Sequence, residues 1–121
     1  MLGIDWGEKR IGLAVSEGSF AEPYGVVSSF EELSEVITKE GVERVVLGIP
    51  EGKHEKRVRS FGKRIEEELN IPVIARSEVM TSRQAQQKLI EAGKPRKSRA
   101  RLDAAAAALL LQEHLDSRPI D

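Results

Sequence analysis

The chain has 121 residues, with 19 Lys or Arg against 20 Asp or Glu, two His and no Cys. Without cysteine there is no disulfide framework, no thiolate-held zinc and no thiol nucleophile, and two imidazoles are too few for a His-rich metal centre. The length suits one domain over residues 1–121. The longest apolar run, Ala104 to Leu111, falls far short of the ~20 residues of a membrane span, so a cytoplasmic location is expected.

Met1 to Gly7 alternates, with Leu2, Ile4 and Trp6 on one face and Gly3, Asp5 and Gly7 on the other. Ile11, Leu13 and Val15 repeat the alternation after a break at Gly7-Glu8-Lys9-Arg10, which predicts a hairpin. Tyr24 to Val27 reads as a third strand after Pro23. A helix should follow from the capping box Ser29 and Glu32, bury Phe30, Leu33, Val36 and Ile37, and stop at Gly41. Val45-Val46-Leu47 is a continuous apolar strand, as in the buried middle of a parallel sheet.

Past Pro50, the spacing of Val58, Phe61, Ile65 and Leu69 predicts a helix to about Asn70, and Pro72 to Ala75 the next strand. Thr81 and Gln84 can cap a helix that stops at Gly93. A last helix is expected from about Ala100 to Leu115, its five consecutive alanines allowing close packing. The order β-β-β-α-β-α-β-α-α, without linker or repeat, predicts one α/β domain on a mixed sheet flanked by helices.

The near-zero net charge conceals an asymmetry. Residues 1–52 hold four basic and ten acidic side chains (−6), residues 53–101 fourteen and six (+8), and residues 102–121 one and four (−3). Lys53, Lys56, Arg57, Arg59, Lys63 and Arg64 form one basic cluster, for which Glu66, Glu67 and Glu68 offer helical counter-charges. The second, Lys94, Arg96, Lys97, Arg99 and Arg101, contains no acid, and it is the better candidate for phosphate binding.

Three carboxylates stand out. Asp5 interrupts a strand, where Asp is disfavoured, and its flanking glycines leave room for a close approach to the backbone. Glu78 lies just beyond a strand's carboxyl end, where ligands collect in open α/β sheets. Asp103 sits in the expected first turn of an apolar helix, where it could also simply favour the helix dipole. If the three converge, their mutual repulsion calls for a divalent cation, and an all-oxygen set suits Mg²⁺ or Mn²⁺. Such ions activate water for phosphodiester hydrolysis.

The run Gly3-Ile4-Asp5-Trp6-Gly7-Glu8-Lys9-Arg10-Ile11-Gly12-Leu13-Ala14-Val15-Ser16 resembles the signature of the YqgF-type, RuvX-like nucleases. These are read as Holliday-junction resolvases or as nucleases that process the 5′ end of pre-16S ribosomal RNA. Val45 to Pro50, Glu78 to Ser82 and Leu102 to Ala106 match further blocks in order, so the resemblance spans nearly the whole chain. It implies a ribonuclease H-like fold on a mixed five-stranded sheet and a Mg²⁺-dependent acidic site. Asp5, Glu78 and Asp103 fall on the family's three acidic positions, as catalytic residues and metal ligands. Lys9 and Arg10 follow the first motif, and with Lys97, Arg99 and Arg101 they are expected to contact nucleic acid phosphates. Precursor ribosomal RNA or branched DNA is the expected partner, for a monomer or homodimer.

The sequence departs from the family beside Glu78. Ser77 and Val79 stand where an acid and an arginine are usual, and Glu51-Gly52-Lys53-His54 replaces an Asp-Gly stretch. An alternative is therefore a catalytically weak or inactive nucleic-acid-binding module on the same fold. A fragment of a sugar-kinase or actin-like ATPase also opens on a D-x-G turn, but such enzymes close two lobes around a nucleotide and this length supplies one. With few aromatics, and Trp6 expected to face the core, recognition of duplex or junction shape is favoured over base stacking.

Overall fold

The computed structural model describes the backbone over residues 1–78 and 96–117, and side chains over 1–77 and 99–117. The helix expected between Thr81 and Gly93 lies outside the described residues. Within them the order is β1 (Leu2–Trp6), β2 (Ile11–Glu17), β3 (Phe20–Val27), α1 (Phe30–Glu40), β4 (Val45–Pro50), α2 (Glu55–Leu69), β5 (Val73–Glu78) and α3 (Arg96–Ser117).

The five strands form one mixed sheet in the order β3-β2-β1-β4-β5. β1 pairs antiparallel with β2 through the hairpin expected around Glu8 and Lys9, and Asp5 lies opposite Gly12. β4 runs parallel to both β1 and β5, so each of these connections must cross over, and helices supply the crossovers. The carboxyl ends of β1, β4 and β5 therefore share one rim of the sheet.

Strand alternation sorts the core into two layers. Leu2, Ile4, Ile11, Leu13, Val45, Leu47 and Ile49 meet Leu33 and Ile37 of α1 and Val58 and Ile65 of α2. On the opposite face Ala14 and Val46 meet Ala107, Leu110, Leu111 and Leu115 of α3. Each fully buried Leu or Ile contributes about 1.5–3 kcal/mol relative to exposure, so the sheet is held from both sides.

Helix α1 begins with the Ser29 half of its capping box, while the Glu32 side chain reaches one residue further back than the box requires. Ser29 accepts from the Glu32 backbone N–H at 3.1 Å, while Glu32 accepts from the Ser28 N–H at 3.2 Å. It ends on Gly41 in the left-handed region (φ 62°), whose N–H reaches back to the last carbonyls.

Several boundaries differ from the sequence reading. β3 begins at Phe20, four residues earlier than expected, and takes in Pro23 opposite Ala14 beside a register shift. Because β3 is the sheet's edge, the missing proline N–H breaks no ladder on a second side. Helix α2 starts at Glu55, and β5 extends through Glu78, which is its last residue rather than a loop residue beyond it. Helix α3 starts at Arg96, so Arg96, Lys97, Arg99 and Arg101 of the second basic cluster lie on the helix, and Asp103 sits two turns in. The dipole effect fades within the first turn, so it does not account for this aspartate. No described helix is long and apolar enough to cross a membrane.

Candidate active site

A glycine seats the backbone of Asp103 against the strand residue that pairs with Asp5. Gly12 faces Asp5 across the β1–β2 ladder, on the side of the sheet that α3 covers. A Cβ on Gly12 would collide with the Asp103 carbonyl and crowd the Ala104 nitrogen. The bare α-carbon thus lets α3 settle at Asp103 directly over the β2 residue that pairs with Asp5. The same device recurs lower on β1, where a Cβ on Gly3 would lie 2.8 Å from the Leu111 Cβ and 3.0 Å from the Ala107 carbonyl. The glycine beside Asp5 that suggested room for a ligand is filled here by α3. Gly7 serves the hairpin turn, its would-be Cβ lying 2.6 Å from the Arg10 carbonyl.

The Asp103 carboxylate is held from the hairpin. Arg10 Nε donates to Asp103 Oδ2 at 2.6 Å, a charge-assisted hydrogen bond spanning 93 residues of sequence. The two side chains are only 20% and 18% exposed, so the pair is screened less than a surface ion pair. Lys9, next to it in the turn, is exposed.

Glu78 ends β5 opposite Pro50 of β4. Ladder counting places Asp5 level with Gly48 and Arg76, so Glu78 lies two residues further along, with the same pleat parity as Asp5. It is two strands from β1, ~10 Å across the sheet, at the same carboxyl rim. Its side chain lies outside the described residues, as does that of Lys97. Among the described residues, no three His, Cys, Asp or Glu gather closely enough to hold a metal ion. Asp5 and Asp103 supply two hard oxygen donors beside the Gly12 cradle, a donor chemistry that fits Mg²⁺ or Mn²⁺.

Arg99 and Asp103 are four residues apart, on one face of α3, and Arg101 is exposed. The Arg99 Nε is buried, with no hydrogen-bond partner among the described residues. In the first basic cluster two of the three expected counter-charges are present, Lys63 pairing with Glu67 and Arg64 with Glu68 one helical turn apart. Arg59 pairs with Glu55, and Glu66 instead accepts from the Val73 N–H. Arg57 is different. It lies with its Cζ 5.1 Å from the Trp6 ring centre and its Nη1 3.4 Å from Glu8 Oε1. Trp6 packs only partly against the core, and its remaining edge lines an open groove with Phe61. Sequence reasoning missed this groove, and also the Arg10–Asp103 pair. Neither has a local signature, because both join elements far apart in the chain.

A family model described as "RuvX: Holliday junction resolvase" matches residues 1–117. A protein of Caldanaerobacter subterraneus subsp. tengcongensis named "Putative pre-16S rRNA nuclease" is 36% identical, covering 98% of this chain and 96% of its own. One of the same name from Prosthecochloris aestuarii is 37% identical, covering 96% and 92%. Among solved structures, T. thermophilus RuvC in complex with a Holliday junction substrate matches with a TM-score of 0.55 at 16% identity, covering 96% of this chain and 95% of that one. A Fowlpox virus resolvase in complex with Holliday junction DNA gives 0.57 at 16% identity, covering 95% and 99%. At that identity the likeness shows the fold, a mixed five-stranded sheet of the ribonuclease H-like class flanked by helices. With its family model matched over residues 1–117 and relatives matched nearly end to end, the chain belongs to the RuvX family.

Proposed function

We propose that this protein is a metal-dependent nuclease that hydrolyses phosphodiester bonds in precursor 16S ribosomal RNA or in branched DNA. The observation that carries the reading is Asp103 brought onto β2 beside Asp5 by Gly12, with Arg10 bound to its carboxylate. The names borne by its relatives support the same activity. Family membership supports Glu78 as the third acid.

Asp5, Glu78 and Asp103 would hold Mg²⁺ or Mn²⁺, which when bound lowers the pKa of water and neutralises charge on the phosphate. The chain's own residues do the remaining work. Arg10 fixes one oxygen of Asp103, which sets the carboxylate's orientation before substrate arrives. Lys9, from the exposed turn, and Lys97, Arg99 and Arg101, from α3, engage backbone phosphates on either side of the acids. Contacts of this kind position a strand without reading its sequence, which suits a substrate defined by shape.

The test is cleavage of a ribosomal RNA precursor and of a four-way DNA junction, each with Mg²⁺, with Mn²⁺ and with chelator. Metal-dependent cutting of either one supports the reading and names the substrate. Salt-sensitive binding to both without any cleavage overturns it in favour of an inert binding module.

A further inference from the structure

On the opposite side of the sheet from Asp103, the first turns of α2 and the end of β1 enclose an open groove of about 440 Å³ lined by Trp6, Lys56, Arg57, Ser60, Phe61 and Arg64. Rings and guanidinium groups alternate along it. Arg57 lies over Trp6 at 5.1 Å, Phe61 meets Phe30 edge-on at 6.0 Å, and Arg64 lies 3.9 Å over the Phe30 ring. Glu8 ties the hairpin turn to this wall, with Oε1 3.4 Å from both Arg57 Nη1 and His54 Nε2. The His54 ring also lies 5.8 Å from the Trp6 ring.

We propose that this groove holds an unpaired base of the nucleic acid strand against Trp6 and Phe61, with the phosphates beside that base on Lys56 and Arg57. The inference rests on the nuclease reading and adds a subsite to it. Flat apolar rings flanked by exposed cations match a nucleotide, whose base has two π-faces and whose linkage carries a negative charge. Arg57 is 61% exposed, so its guanidinium can leave the indole for a phosphate when a base arrives. The place is right as well. Trp6 follows Asp5 directly in β1, so their α-carbons are ~3.8 Å apart while their side chains leave opposite faces of the sheet. A strand lying at Asp5 reaches the groove by passing over the end of β1. Base stacking, which the scarcity of aromatics argued against, thus has a platform at this rim.

Trp6 is the chain's only tryptophan, so its fluorescence reports the groove directly. With metal chelated, the protein is titrated with a short dye-labelled single-stranded oligoribonucleotide, and separately with the same sequence as a blunt duplex. Binding is followed by anisotropy and stacking by Trp6 emission. The proposal expects the single strand to quench Trp6 strongly as it binds, and the duplex to bind without comparable quenching. Lys56→Ala with Arg57→Ala, both exposed positions, should weaken single-strand binding by about tenfold and duplex binding far less. Trp6→Phe should retain the single-strand preference and Trp6→Leu lose it, with circular dichroism confirming the fold of each. A single strand that binds without changing Trp6 emission overturns the subsite, as do equal quenching by duplex, an unchanged double variant, and failure to bind any single strand. Cleavage is measured separately with metal, so an enzyme that cuts without stacking loses the subsite alone. A protein that stacks the base but never cuts loses the nuclease reading instead.

Discussion

The α-carbon of Gly12 lies directly under the Asp103 carbonyl, so the residue opposite Asp5 in the β1–β2 ladder is also the seat of α3. One missing methyl group determines how near the two acids can come. Gly12→Ala must push α3 away from β2, and it is expected to destabilise the fold by about 1–3 kcal/mol. Chemical denaturation measures that loss. Cleavage by the folded fraction should fall as well, because the displacement is centred on Asp103.

Arg10 and Asp103 form the second constraint on the site. Arg10→Ala leaves a half-buried carboxylate without its guanidinium and should cost about 2 kcal/mol in denaturation experiments. Arg10→Lys keeps the charge but not the planar geometry, and should recover only part of both stability and activity.

Leu111 is fully buried and packs against Gly3, whereas Leu109, on the same helix, is 46% exposed. Leu111→Ala should destabilise by about 2–5 kcal/mol. Leu109→Ala should stay within about 0.5 kcal/mol. Thermal melts of the pair check that α3 is seated by the face that also carries Asp103.

Lys9 is exposed in the turn between β1 and β2 and is proposed to touch a phosphate. Lys9→Ala should weaken nucleic acid binding similarly for all sequences and lower the slope of log K against log salt by about 1. Binding titrations at several salt concentrations give that slope.

Local signals reached some of these elements and not others. The β1–β2 hairpin and β4 were legible because one buried face imposes strict alternation and burial on both faces imposes a continuous apolar run. Helix α1 announced both its ends, through Ser29 and Gly41. The early start of β3 was hidden by Pro23, a residue that excludes a central strand but not an edge. The first turn of α3 was hidden by a run of basic residues with no apolar period, which moved Asp103 from an expected first turn to the helix interior. Asp5 stood out because Asp is disfavoured in a strand, and Asp103 because it interrupts an apolar helix. Arg10 bound to Asp103 could not be read from pattern, since 93 residues separate them.

The most direct measurement is metal-dependent phosphodiester cleavage by wild type beside Asp103→Asn, with circular dichroism confirming that the variant folds. The account predicts that the substitution lowers the cleavage rate by at least about 100-fold while binding of the nucleic acid persists. A folded Asp103→Asn variant that cuts at the wild-type rate would contradict it.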